Sequence, residues 1–156
     1  MFPLSIDWKA FSAGRRKSEM RDAIKASLAV AAKGWHQQYY EGHFTPAGGQ
    51  RYGYFQRKGE GMPRGSKGFA RSYHGRKLKM MGHERPLVFT GESYQRGKVA
   101  KIVASSKQAK VVLPSTFNFR HPKSRINMRD EVTRVLPDEV QALRAIAEAE
   151  MARSTR

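Results

Sequence analysis

From residue 17 to residue 41 the apolar positions keep to one side of a helix. Met20, Ile24, Leu28, Ala31, Trp35 and Tyr39 recur at steps of three or four, the period of an α-helix with one buried face. A stripe of this kind is ordinarily core. Ser18 is the candidate N-cap, but Arg21 stands where a capping box wants an acid; Gly42 offers the stop. A second stripe, Val140, Leu143, Ala147 and Met151, predicts a helix over 137–153. Pro137 suits its first turn, and Asp138 and Glu139 complement the positive helix end.

Between these helices the pattern changes. "KVAKIVAS" (98–105) and "QAKVVLPS" (108–115) are rich in Val and Ile and predict a hairpin turning at Ser106-Lys107, with Pro114 ending the second strand or putting it on an edge. "RDEVTRVL" (129–136) reads as a further strand, so 87–136 is expected to be β-rich. Residues 42–86 hold no period for long. They are rich in glycine and, beyond Phe44, carry the aromatics Tyr52, Tyr54, Phe55, Phe69 and Tyr73. "RYGYFQRK" is a candidate short strand, and the rest reads as a long basic loop or arm, ordered by a partner. The expectation is one α+β domain over 1–156: long N- and C-terminal helices on a small, mostly antiparallel sheet, with that loop attached.

Charge sharpens this picture. The 156 residues carry 30 Lys and Arg against 13 Asp and Glu, a formal net charge of +17. Residues 42–86 have net +8 and 87–127 net +7, whereas 128–156 have net −1. Such a charge points to nucleic acid, an anionic surface or acidic protein faces as partners. There is no cysteine, hence no disulfide framework and no thiolate zinc site. No apolar run reaches the roughly 18 residues of a membrane span, and the first residues lack the plan of a signal peptide. Synthesis in a reducing cytoplasm is expected, with no membrane association.

Chemistry is sparse. His36, His43, His74, His83 and His121 form no short ligand pair, and Glu60, Glu84 and Glu92 stand alone in the middle of the chain. That is too few ligands for a two-metal nuclease. No strained nucleophile turn and no phosphate loop is present. No catalytic residue, cofactor or metal is therefore expected. The basic, aromatic middle matches a nucleic-acid footprint in composition, without a compact recognition motif. The same charges would equally suit acidic faces of partner subunits.

The order of segments carries more than any one of them. A helix ends in "WHQQYYEGHF"; a basic segment follows; then come "RPLVFTGESYQRG", a hairpin and a helix opening "PDEV". This order, with "HF" after the first helix and "PLVFTG" before the hairpin, resembles the neck and tail-completion (head–tail joining) proteins of tailed bacteriophages, the Mu-type virion morphogenesis family among them. The resemblance covers about residues 17–150. It implies a structural virion protein at the neck, made in the host bacterium. It would form a homo-oligomeric ring between head or portal and tail, beside portal-adaptor and tail-terminator proteins, with packaged DNA passing by. A non-specific nucleic-acid-binding module is the alternative.

Within that frame Arg57, Lys58, Arg64, Lys67, Phe69, Arg71, Tyr73, Arg76 and Lys77 are the candidate arm residues. Their spacing is too irregular for one helical face, which favours an extended arm. Phe69 and Tyr73 would then anchor it in a neighbouring subunit; a DNA-facing role for the charges is the other reading. Pro86, Leu87, Phe89, Thr90 and Gly91 would pin the end of the loop. Pro86 favours an extended Arg85, Leu87 and Phe89 share one face, Thr90 bonds locally, and Gly91 allows a left-handed turn. An ordinary buried strand and turn is the plainer reading of the same residues.

Overall fold

The N-terminal stripe forms α1, Lys17–Tyr39. Its N-cap is Arg16, two residues before the candidate Ser18: the Glu19 carboxylate accepts from the Arg16 N–H at 3.2 Å, half of a capping box. The buried face is also turned by about one residue from the expected stripe. Its small members Ala23, Ser27, Ala31 and Gly34 are fully covered, with Ala32 and Trp35 beside them. Ile24 and Leu28 are only half-buried. In this computed structural model the described residues are Trp8, Gly14, 16–88, 90–118 and 125–154.

Contacts divide the chain into two compact units, where the length suggests one. Unit 1 comprises residues 1–41, 99–113 and 133–156; unit 2 comprises 42–98 and 114–132. In unit 1, α1 packs on the C-terminal helix, here α7 (Pro137–Ser154), and on the hairpin β1 (Lys101–Ala104) and β2 (Ala109–Val112). The strands are antiparallel, with Lys101 opposite Val112 and Val103 opposite Lys110. α7 buries Leu143, Ala147 and Met151, as its spacing predicts, and Glu139 besides. The Glu139 carboxylate accepts from the Leu136 N–H at 3.3 Å, which satisfies a donor ahead of the helix. Ser27 donates to the Ala23 carbonyl at 2.8 Å and also meets the Met151 sulfur at 3.7 Å, so the one hydroxyl in the seam is satisfied.

Unit 2 is built from short helices: α2 (Pro46–Arg51), α3 (Lys67–Arg71), α4 (Tyr73–Met81), α5 (Glu92–Lys98) and α6 (Met128–Val132). Several expectations are corrected here. "RYGYFQRK" is no strand: Arg51 closes α2, and Tyr52 and Tyr54 donate back to the Gly48 and Gly49 carbonyls at 2.8 and 2.9 Å. The start of "RDEVTRVL" is helical, because the Asn127 side chain accepts from the Arg129 N–H at 3.2 Å and caps α6. Residues 92–98, inside the supposed β-rich region, are also helix. Among the described residues the hairpin is the only sheet.

The core of unit 2 is aromatic. Phe44 lies 4.8 Å from Tyr94 and 5.9 Å from Phe117, ring centre to ring centre. His43, fully buried, stacks on Tyr52 at 3.8 Å and meets the Tyr54 hydroxyl at 2.5 Å through Nδ1. "HF", which follows the first helix as expected, is thus the centre of the unit. Gly42 does not stop α1 in a left-handed conformation; a short 3₁₀ turn, Glu41–Phe44, follows instead.

Candidate functional site

The basic segment is the part of unit 2 richest in exposed charge, and its geometry starts with one serine. Ser72 ends α3 by donating to the Phe69 carbonyl at 2.7 Å and begins α4 by accepting from the Gly75 N–H at 3.0 Å. Ser66 caps α3 in the same way, accepting from Phe69 N–H at 3.1 Å. These two caps convert a stretch without a long period into two helices. The break at Ser72 also resets the helical phase. Lys67 and Arg71 lie four apart on α3, and Arg76 and Lys79 lie three apart on α4, so each pair shares a face of its own helix. The irregular spacing across the break therefore reflects two helices, not an extended chain.

The nine candidate arm residues separate into three groups. Arg57, Phe69 and Lys77 are buried. The Arg57 guanidinium pairs with the Glu131 carboxylate, bonds the Phe55 carbonyl at 2.6 Å, and lies 5.7 Å from the Tyr54 ring centre. Glu131 is itself 1% exposed and also accepts from the Phe55 N–H at 3.1 Å. Phe69 turns inward, 5.9 Å from His74 and edge-on to it. Lys77 donates to the Arg85 carbonyl. Burial holds its ammonium down to about 8, with the Arg57 charge adding to the effect and the Glu60 and Glu84 carboxylates opposing it.

Arg64 and Tyr73 form an intermediate group. Arg64 is exposed but bonds Glu84 at 3.0 Å, and Glu84 in turn lies 3.3 Å from His74 Nε2. The other side of the His74 ring faces Glu60 at 3.8 Å. Tyr73 is 40% exposed, and burial of its remainder raises its phenol above the usual value.

Lys58, Lys67, Arg71 and Arg76 form the third group and are exposed. With Lys79, which no sequence motif marks out, they make no ion pair among the described residues. The signal for Lys79 is its place three residues after Arg76, visible only once Ser72 is recognised as a helix start.

The loop anchor differs from its expected form. Pro86 and Leu87 make a turn, and Leu87 takes a left-handed φ of +57°. Leu87 and Val88 are both buried, so the apolar pair does not alternate as a strand would. Thr90 Oγ1 accepts from the Glu92 N–H at 3.5 Å, and Gly91 has φ +90°, the left-handed turn its identity allows. Phe89 and His121 lie outside the described residues. Among the described residues no group of three or more His, Asp or Glu is placed to hold a metal ion, and no helix is long and apolar enough to cross a membrane.

No protein-family model matches the chain, and neither the curated proteins nor the solved structures contain a significant match to it.

Proposed function

We propose that the protein is a structural subunit of the head–tail junction of a tailed bacteriophage, assembled as a homo-oligomeric ring, with the exposed face of its basic segment turned toward DNA. The observation that carries the DNA contact is the division of the basic residues. Arg57 and Lys77 are used inside unit 2, while Lys58, Lys67, Arg71, Arg76 and Lys79 point outward without a carboxylate among the described residues. Exposed cations of this kind neutralise phosphates without reading sequence. Phe69 is committed to its own unit, which removes one of the two aromatic anchors an inter-subunit arm would need. The setting at the phage neck rests on the order of segments, and the proposal assigns no catalytic step and no cofactor.

The test has two arms. Binding of a random-sequence duplex, followed by anisotropy over a salt series, should give a linear log–log salt dependence. Changing Lys67, Arg71, Arg76 and Lys79 to Gln should lower the slope by up to about 4, roughly one for each phosphate left without its cation. Native mass spectrometry and electron microscopy of the purified protein should show a closed ring. Duplex binding by a species that stays monomeric or dimeric at every concentration would replace the ring subunit by a nucleic-acid-binding module. No duplex binding at low salt would remove the DNA contact.

A further inference from the structure

The hairpin of unit 1 has two unlike faces. Ile102, Ala104, Ala109 and Val111 are half-buried on the side toward α1. Lys101, Val103, Lys110 and Val112 form the opposite side, and all four are exposed. Val103 and Val112 are 48% and 49% exposed, and Val99, just ahead of β1, is 88% exposed. The register sets Lys101 across from Val112 and Val103 across from Lys110. The two lysines therefore stand on a diagonal, with Cα atoms about 7–8 Å apart. Lys107 sits at the tip in a built turn: Ser105 Oγ accepts from the Lys107 and Gln108 N–H groups, each at 3.2 Å.

Residues 99–113 contain three lysines and no acid. None of the three makes an ion pair among the described residues. The charge of this face has no answer within the hairpin. The same hairpin face of a second copy is a poor source of one. Face-to-face pairing would set lysines against lysines on chains of net charge +17. On α7, Glu148 and Glu150 already pair with Arg144 and Arg153, at 2.7 and 3.0 Å.

We propose that the outer face of this hairpin is a second nucleic-acid contact, in which Lys101, Lys107 and Lys110 meet the phosphates of a duplex and Val103 and Val112 cover its sugars. The occupant follows from the charge: a polyanion supplies the missing negative groups at close spacing, and two-stranded ribbons are of a size to lie against a DNA groove. The inference rests on the DNA contact proposed for unit 2 and adds to it a separate surface from another part of the chain.

Full-length protein is titrated with a random-sequence duplex over a KCl series, with circular dichroism as the control for folding. Lys101→Gln with Lys110→Gln should lower the salt slope by roughly 2. Val103→Ser with Val112→Ser should weaken binding at every salt concentration and leave the slope unchanged, because no charge is removed. Lys67→Gln with Arg71→Gln serves as the unit 2 reference. If that reference lowers the slope and the hairpin lysine pair does not, the hairpin is off the DNA and the unit 2 contact stands. Aggregation of the lysine variant with an unchanged slope in the soluble fraction would also overturn the proposal, leaving the lysines as guards of the strand edges. An equal loss against polyglutamate would overturn it in favour of an acidic protein partner. If the unaltered protein binds no duplex, both surfaces fall together.

Discussion

Leu87 is buried at 7% exposure and holds a backbone angle that leucine rarely takes, φ +57°. Two opposing quantities meet at this residue. Burying a leucine is worth about 1.5–3 kcal/mol, and the left-handed conformation costs a side chain with Cβ about 1–2 kcal/mol. Burial wins, so the turn persists without glycine. Leu87→Ala keeps the strain and loses the burial; about 2–4 kcal/mol of stability should go, as for other buried leucines. Leu87→Gly loses more atoms but relieves the strain, so it should be the more stable of the two variants by about 1 kcal/mol. Urea unfolding of both variants decides it, and a glycine variant less stable than the alanine one would show that the backbone is unstrained.

Lys77, also buried, gives a pH dependence. Its folded pKa of about 8 lies below the ordinary 10.5, so between those values the unfolded chain binds more protons. The buried charge costs stability below about pH 8, and that cost is relieved as pH rises. Stability measured against a Lys77→Met variant should thus climb from pH 8 toward 10. Above that the raised phenol of Tyr73 acts in the opposite sense, since the folded state then holds the extra proton. A flat difference across this range would mean that Lys77 titrates as an exposed lysine does.

At the scale of elements, the seam between α1 and α7 depends on what is missing from side chains. A Cβ at Gly34 would lie 3.1 Å from Ile146 Cδ1 and 3.8 Å from Leu143 Cδ2. Ala23, Ser27 and Ala31 continue the same narrow face. The two helices approach because α1 presents small groups to the larger ones of α7, an alternation that fills the seam without voids. Gly34→Leu should overpack it and cost about 1–3 kcal/mol. Adding Ile146→Ala should return part of that loss, because the two changes act on one volume and are not additive. Thermal unfolding of the single and double variants checks this; losses that simply add would place Gly34 outside the seam.

At the scale of the molecule, neither unit is a continuous piece of chain. Unit 1 draws on three segments and unit 2 on two. The basic segment depends on residues far along the sequence: Arg57 needs Glu131, and Phe44 needs Phe117. α1 likewise needs α7. A chain ending at Lys98 should therefore lack a cooperative unfolding transition, even though it retains α1 and most of unit 2. It would leave Arg57 as a buried, unpaired guanidinium, a defect on the order of 3–5 kcal/mol by itself. Sharp thermal unfolding of that fragment would mean that residues 42–98 hold their fold without the later segments.

What was legible in the sequence was local and long enough to repeat. α1, α7 and the hairpin show as two stripes and a pair of β-branched runs, because periodicity over several turns reports which side of an element is buried. The short helices of unit 2 were not legible by period. α3 has five residues and α6 five, less than two turns each; what marks them is a cap, Ser66, Ser72 or Asn127, and a cap is one residue in a polar stretch. The exact face of α1 was hidden for a related reason: large apolar residues draw the eye, while the closest approach is made by Gly and Ala. Tertiary structure alone decided the fate of the basic residues. Arg57, Lys77 and Arg64 look like Lys58 and Arg71 in the sequence. Only the positions of Glu131, the Arg85 carbonyl and Glu84, brought near by the fold, separate the cations held within unit 2 from those left facing outward.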